Sequence, residues 1–241
     1  MILGIHTATP QLSLALVEDG TVLAEASQAV GNAHSEALFV QLESLFAWVG
    51  RPRTALRAVG VAMGPGGFTG VRTGMAAAKT IAQFCQLPVY GIPTLEALAA
   101  QFPSTGPVVA ALDARRDLVF AGVWRTDGAQ PEPIVPAGLH AVDEWLTRVQ
   151  ELTGEGPVWW IGEGAWCHRE RIRTSHANWH VPEAIAHVAG AVSVASLAER
   201  RLAAGHPSDG PTLAPQYLRE PQAVINWEAR QAEAPAGGGR E

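Results

Sequence analysis

Twice along this chain, two short apolar runs flank a tight turn and lead into alternating helix-length and strand-length segments, a pattern that few architectures accommodate. In the first half, Leu12–Val17 and Thr21–Ala26 surround Asp19-Gly20, a dipeptide that readily takes the positive φ of a two-residue hairpin turn. Ile2–Ile5 precedes them as a further short strand. Leu38, Leu42, Leu45 and Val49 then recur at helical spacing, with Phe39 and Phe46 widening the apolar arc, and Gly50-Arg51-Pro52 ends the helix. Leu56–Met63 and Pro88–Gly91 read as strands, Thr69–Gln86 and Thr94–Gln101 as helices.

The breaker cluster Phe102-Pro103-Ser104-Thr105-Gly106-Pro107 marks a boundary, after which the opening theme returns. Val108–Ala114 and Leu118–Arg125 enclose Arg115-Arg116-Asp117 as a second hairpin. Asp127-Gly128 and a Pro-rich stretch follow, then a helix at Val142–Leu152, a strand at Val158–Ile161 and a long helix at Pro182–Ala204. The expected architecture is a duplicated α/β fold with mixed sheets flanked by helices. Its halves are residues 1–104 and 105–222, and residues 223–241 form a Gly/Ala-rich tail expected to be disordered.

Charge and cysteines narrow the function classes. A formal net charge of −6, with Lys79 the only lysine, argues against a chain that grips a phosphate backbone unaided, so negligible affinity for nucleic acid at physiological salt is expected. No run of about 18 apolar residues suggests a membrane span, and Met-Ile-Leu-Gly-Ile-His has no basic region ahead of an apolar core. Cys85 and Cys167 lie far apart and form no CxxC pair, so a reducing cytoplasm is the expected compartment.

Gly64-Pro65-Gly66-Gly67-Phe68-Thr69-Gly70-Val71-Arg72-Thr73-Gly74 joins a strand to a helix. Amides at a helix N-terminus attract anions, which makes Gly64, Gly66 and Gly67 weak candidates for cofactor phosphate. The stretch nevertheless fits neither GxxxxGK[ST] nor GxGxxG, and a tight turn with close packing behind it explains the same glycines. Gly70, Gly74, Ala78 and Ala82 continue at four-residue spacing as a stripe without bulk. Such a stripe admits a close neighbour, either inside the domain or from a partner.

GPGGFTGVRTG, after AVGVAM and before AAAKTIAQ, closely resembles the signature of the TsaB (YeaZ) family. Leu3–Leu16, Ala111-Leu112-Asp113-Ala114-Arg115-Arg116 and Pro215-Gln216-Tyr217-Leu218-Arg219 support the resemblance, which spans residues 1 to about 220. It implies an actin/Hsp70-like (RNase H-like) fold and a part in making threonylcarbamoyladenosine in tRNA. It also implies a paralogous catalytic partner, TsaD, and an ATPase, TsaE, completing the complex. The chain alone would then need no cofactor, ATP or ADP belonging to the complex, and it would form a homodimer when alone and meet tRNA only through the complex. The family's dimer contact uses the first two helices, here about Ala33–Val49 and Thr69–Gln86. That makes Leu38, Leu42, Leu45, Gly70, Val71, Gly74, Met75, Ala78 and Ala82 the expected partner interface. On that reading, Gly74→Leu leaves the monomer folded and abolishes association.

The first strand of the family usually ends in Asp-Thr; here it reads His6-Thr7, and histidine does not supply the hard anionic oxygen that magnesium prefers. TsaD-like paralogues carry an HxxxH metal motif where this chain has Thr94-Leu95-Glu96-Ala97-Leu98. His176 and His180 make a different HxxxH, but Val181-Pro182 begins a new element at once and no third ligand has telling spacing. GxSxG is absent, and Asp113 and Asp117 read as solvated turn charges rather than an acid pair. Trp159, Trp160 and Trp166 are expected to serve the second core or a partner surface. No catalytic or metal residue is therefore assigned. The expected function is a non-catalytic scaffold that stabilises TsaD. The alternatives are an enzyme of the same fold, either a nucleotide-dependent transferase or ATPase or a glycoprotease-like peptidase, and a homodimeric structural protein.

Overall fold

The computed structural model describes residues 1–31, 33–127, 130–183 and 188–219. Its framework is one five-strand motif used twice. β1 (Ile2–His6), β2 (Gln11–Glu18) and β3 (Thr21–Ala29) form an antiparallel meander. β4 (Ala58–Ala62) then pairs parallel with β1, and β5 (Val89–Ile92) parallel with β4, for the order β3-β2-β1-β4-β5. β6 (Val108–Arg115), β7 (Leu118–Arg125), β8 (Glu132–Ala141), β9 (Val158–Ile161) and β10 (Trp179–His180) repeat this in the order β8-β7-β6-β9-β10, with the same parallel and antiparallel pairings. The duplicated α/β fold with mixed sheets follows: each half needs a hairpin to start its sheet and helical crossovers to extend it in parallel.

The two turns that start the sheets obey different rules. Asp19 and Gly20 take φ of 49° and 75°, the left-handed pair that matches the twist of a two-residue hairpin. Their amides donate to Oε1 and Oε2 of Glu199 at 2.7 and 2.9 Å. In the second hairpin Arg115, Arg116 and Asp117 all have positive φ, of 63°, 55° and 55°, and Asp113 Oδ1 accepts the Arg115 amide at 2.9 Å.

α1 (His34–Val49), closed by Gly50 at φ 66°, packs against β2 and β3, and α2 (Phe68–Cys85) against β4 and β1, both on one face of the first sheet. α3 (Thr94–Ala100) reaches toward β6. In the second half, α4 (Val142–Thr153), α5 (Glu163–Cys167) and α6 (Arg169–Ser175) flank the sheet. Trp145 and Trp160 lie fully in that core, while Trp159 is half-buried against Phe102 and His180.

Three segments differ from the expected elements. The Pro-rich stretch, given no element above, holds β8: it is an edge strand bonded only to β7, and an edge tolerates Pro133 and Pro136, which cannot donate to a ladder. The segment after β9 holds α5, α6 and β10. The last helix, α7, runs over Ala191–Ala203 rather than Pro182–Ala204; residues 184–187 lie outside the described residues, and 188–190 are not helical.

α7 was counted with the second half, yet it lies on the first sheet, across the face opposite α1 and α2. Gly4 and Gly60 pair side by side in β1 and β4, and a Cβ on Gly4 would stand 2.2 Å from the Ala191 carbonyl. A Cβ on Gly60 would stand 2.7 Å from Ala198 Cβ, so only bare backbone lets the helix settle there. After α7 the chain still follows the first half. The Asp209 amide donates to Val89 O at 2.9 Å, the Gly91 amide to Asp209 Oδ2 at 2.7 Å, and the Gln216 amide to Met63 O at 2.7 Å. Arg219 then reaches the second sheet, donating to Ala114 O at 3.2 Å. Residues 223–241, expected as a tail, lie outside the described residues.

Candidate functional site

The glycine-rich stretch is occupied by the chain's own backbone. The Gly67 amide donates to Ala8 O at 2.7 Å, the Thr94 amide to Gly64 O at 2.8 Å, and Gly67 caps α2 by accepting from Val71. Substituent carbons would stand 2.6 Å from Gln216 O at Gly64, 2.1 Å from Ala8 O at Gly66 and 2.0 Å from Thr7 O at Gly70. Gly64 additionally has a φ of 103°, which disfavours other residues. These glycines let the loop and α2 close onto the end of β1 and onto residues 215–217. Packing accounts for Gly64 and Gly66, and at Gly67 the amide that a phosphate would need is already bonded to Ala8 O.

The stripe on α2 faces inward within the chain, so its small residues pack against the first sheet. Thr7 Oγ1 donates to Gly70 O at 2.8 Å, and a Cβ on Gly74 would stand 2.2 Å from that same Oγ1. Leu38, Leu42, Leu45, Val71, Met75, Ala78 and Ala82 are buried in the first core, and Gly70 and Gly74 are buried with them. Spacing alone signals a buried face; the first sheet, not a partner, covers it.

What α1 and α2 present outward was missed. Phe39 is 54% exposed, Val40 68%, Trp48 64% and Phe84 89%. A groove of about 510 Å³ runs between the helices, its floor formed by Leu3, Leu42, Phe46 and Leu87 and its walls by Phe39, Ile81 and Phe84. Phe39 and Phe84 thus stand exposed beside an apolar groove, a combination that marks an interaction surface, while Val40 and Trp48 are exposed elsewhere on α1. The available signal was the placement of Phe39, Val40 and Trp48 off the Leu38–Leu42–Leu45 line.

A second cavity, of about 280 Å³, lies between the halves, where Thr9, Gly66 and Gly67 face Asp113, Arg115, Glu163 and Arg219. Burial, then the nearby Asp113 carboxylate, pushes the Glu163 carboxyl above its usual range, with Arg115 opposing. Cys167, on α5, is exposed, and burial followed by Asp113 and Glu163 pushes its thiol up, which leaves it a poor nucleophile.

His6 does not line that cavity. It is fully buried at the end of β1, and neither ring nitrogen has a hydrogen-bond partner. Burial lowers its pKa to about 4, opposed in part by its own backbone carbonyl and aided slightly by His34. The folded chain therefore holds His6 neutral while the unfolded chain protonates below about pH 6.5. The contribution is complete above that pH and is lost as pH falls from 6.5 toward 4. Between pH 7 and pH 5 the loss is about 2 kcal/mol. Urea unfolding at the two pH values should show this loss, and His6→Leu should remove most of it.

Other candidates stay apart. His176 approaches Glu155 Oε2 at 3.1 Å and stacks on Trp179, whereas His180 sits on β10 against Trp159. Asp113 caps a turn, and Asp117 pairs with Arg171 at 3.6 Å. Thr94, Leu95 and Leu98 are buried, and Glu96 meets Arg201 at 3.1 Å. Among the described residues no three His, Cys, Asp or Glu side chains gather as a metal site, and no helix is long and apolar enough to cross a membrane.

Comparison with known proteins places this geometry. Residues 22–227 match the family model described as TsaD: tRNA N6-adenosine threonylcarbamoyltransferase. The chain is 29% identical over 228 residues to the tRNA threonylcarbamoyladenosine biosynthesis protein TsaB of Bacillus subtilis (strain 168), covering 94% of this chain and 97% of that one. It is 32% identical to the protein of the same name from Escherichia coli (strain K12), over 68% and 73% of the two chains. The solved structure of YeaZ from Pseudomonas aeruginosa superposes with a TM-score of 0.76 at 24% identity, covering 90% of this chain and 99% of that one. With these matches running over nearly the whole length, the chain belongs to the TsaB (YeaZ) family of tRNA threonylcarbamoyladenosine biosynthesis proteins.

Proposed function

We propose that this chain is a non-catalytic subunit of the machinery that makes threonylcarbamoyladenosine in tRNA, and that it holds a TsaD-type transferase through the outward faces of α1 and α2. The observation that carries this is the solvent-facing pair Phe39 and Phe84 at the wall of an apolar groove, with Val40 and Trp48 also exposed on α1. The same face serves a second copy of the chain when no transferase is present. A TsaE-type ATPase joins at the level of the complex, where ATP or ADP also belongs, and the cytoplasm is the compartment. The chemistry of the first half agrees: the glycine loop is filled by backbone, and His6 stands shielded where a magnesium-organising acid would be needed.

Co-expression with a tagged TsaD-type partner tests this reading. The chain should be retained in equal proportion with the partner, and alone it should not hydrolyse ATP. The rival, an enzyme of the same fold, draws on Glu163 in the cleft, whose carboxyl is pushed above its usual range. Steady ATP turnover by the isolated chain, abolished by Glu163→Gln or Thr9→Ala, would establish that rival instead.

A further inference from the structure

We propose that Phe68, Arg72 and Tyr217, together with Arg115, Arg116 and Arg219 at the mouth of the cleft between the halves, form a contact surface for single-stranded nucleotides of the tRNA substrate. The proposal rests on the function given above. Arg72 lies over the Phe68 ring at 3.7 Å from its centroid, and its Nε donates to Tyr217 Oη at 2.8 Å. Phe68 and Tyr217 stack at 5.5 Å with an interplanar angle of 23°, and each keeps close to half its surface exposed. Two aromatic faces and a guanidinium are thus fixed in one assembly open to solvent, the arrangement on which an unpaired base stacks without sequence preference.

Charge favours RNA over a protein partner. Among the described residues no carboxylate lies within ion-pair distance of Arg72, Arg115, Arg116 or Arg219, whereas Arg51, Arg53, Arg125, Arg171 and Arg201 are all paired. Arg115 and Arg219 share the cavity with the loop that leads into Phe68, and Arg116 stands next to Arg115 on an exposed turn of consecutive left-handed residues. Such a turn persists only where its surroundings enforce it. Asp113 and Glu163 also line the cavity and offset part of its positive charge, which places the contact on the rim of the cavity and not inside it. The chain's net charge of −6 opposes RNA elsewhere, so the contact strengthens the complex's hold on tRNA and is seen in the isolated chain only at low salt.

The test uses the full chain and a short labelled single-stranded RNA, read by fluorescence anisotropy from about 30 to 150 mM salt. Wild type should bind at the low end. Arg72→Gln combined with Arg219→Gln should weaken binding about ten-fold and flatten the log–log salt slope by about 1.4, as expected for two lost phosphate contacts to a single strand. Phe68→Ala should weaken it about ten-fold with the slope unchanged. Arg116→Gln, on an exposed turn away from both cores, should lower the slope by about 0.7 without affecting the melting temperature. Absence of binding at low salt, Arg116→Gln indistinguishable from wild type, or equal affinity for duplex RNA would overturn the proposal. So would loss of partner co-purification by these variants in RNA-free buffer, which would make the patch a protein surface. Threonylcarbamoyladenosine levels in cells lacking the chain separate the two readings. If the levels fall while RNA binding is absent, only this proposal fails; if they are unchanged, the proposed function fails.

Discussion

Gly74→Leu should cost on the order of 3 kcal/mol or more and lower the melting temperature by about 6–12 °C, the scale expected for overpacking plus a lost buried hydrogen bond in a chain of this size. Even a methyl group at Gly74 would press within 2.2 Å of Thr7 Oγ1, the atom that donates to Gly70 O. The helix cannot retreat, because Gly70 already lies against the Thr7 carbonyl and Val71, Met75 and Ala78 are locked in the core. Leucine's better helix propensity, about 1 kcal/mol over glycine, does not offset this. Thermal melts followed by circular dichroism check it. A variant as stable as wild type would mean that α2 stands away from β1, and the inward reading of the stripe would fall.

Phe84→Glu should do the opposite: leave stability within about 0.5 kcal/mol and weaken partner association at least 30-fold, the effect of losing a central aromatic anchor. Phe84 is 89% exposed at the end of α2 and walls the apolar groove with Phe39 and Ile81. Removing it costs the monomer little buried area, while a carboxylate placed in a closed apolar contact is left without a partner. Sedimentation for self-association and a pull-down for the transferase read the effect. The pair of substitutions is diagnostic together, since one probes the inward stripe and the other the outward face of the same two helices.

That contrast shows what the residues could tell. The hairpins were legible because Asp19-Gly20 and Arg115-Arg116-Asp117 are local signals: the φ values they need are set by their own chemistry and by the strands beside them. The alternation of helix and strand was equally local, and the topological repeat follows from it. Which face of a helix meets the sheet is not local. α1 carries apolar side chains around much of its circumference, with Leu38, Leu42 and Leu45 inside and Phe39, Val40 and Trp48 outside, so periodicity found a buried line without saying what buries it. α7 escaped for a related reason. Its small residues match Gly4 and Gly60, which lie far away in the chain, and only the folded sheet brings those two glycines side by side. β8 escaped because proline argues against a strand unless its edge position is known. His6 was noticed as a departure from an acid, but its burial and orphaned ring nitrogens depend on packing that a strand-end pattern does not reveal.

The central claim is that this chain supports tRNA modification through the outward faces of α1 and α2 and not through chemistry of its own. The most direct measurement is the amount of threonylcarbamoyladenosine in tRNA from cells depleted of the chain and supplied with wild type, Phe84→Glu or the cleft variant Glu163→Gln. The account predicts restoration by wild type and by Glu163→Gln, and failure by Phe84→Glu despite a normal melting temperature and normal abundance. Restoration by Phe84→Glu together with failure by a folded Glu163→Gln would contradict it, and would move the function from the helix face to the cleft.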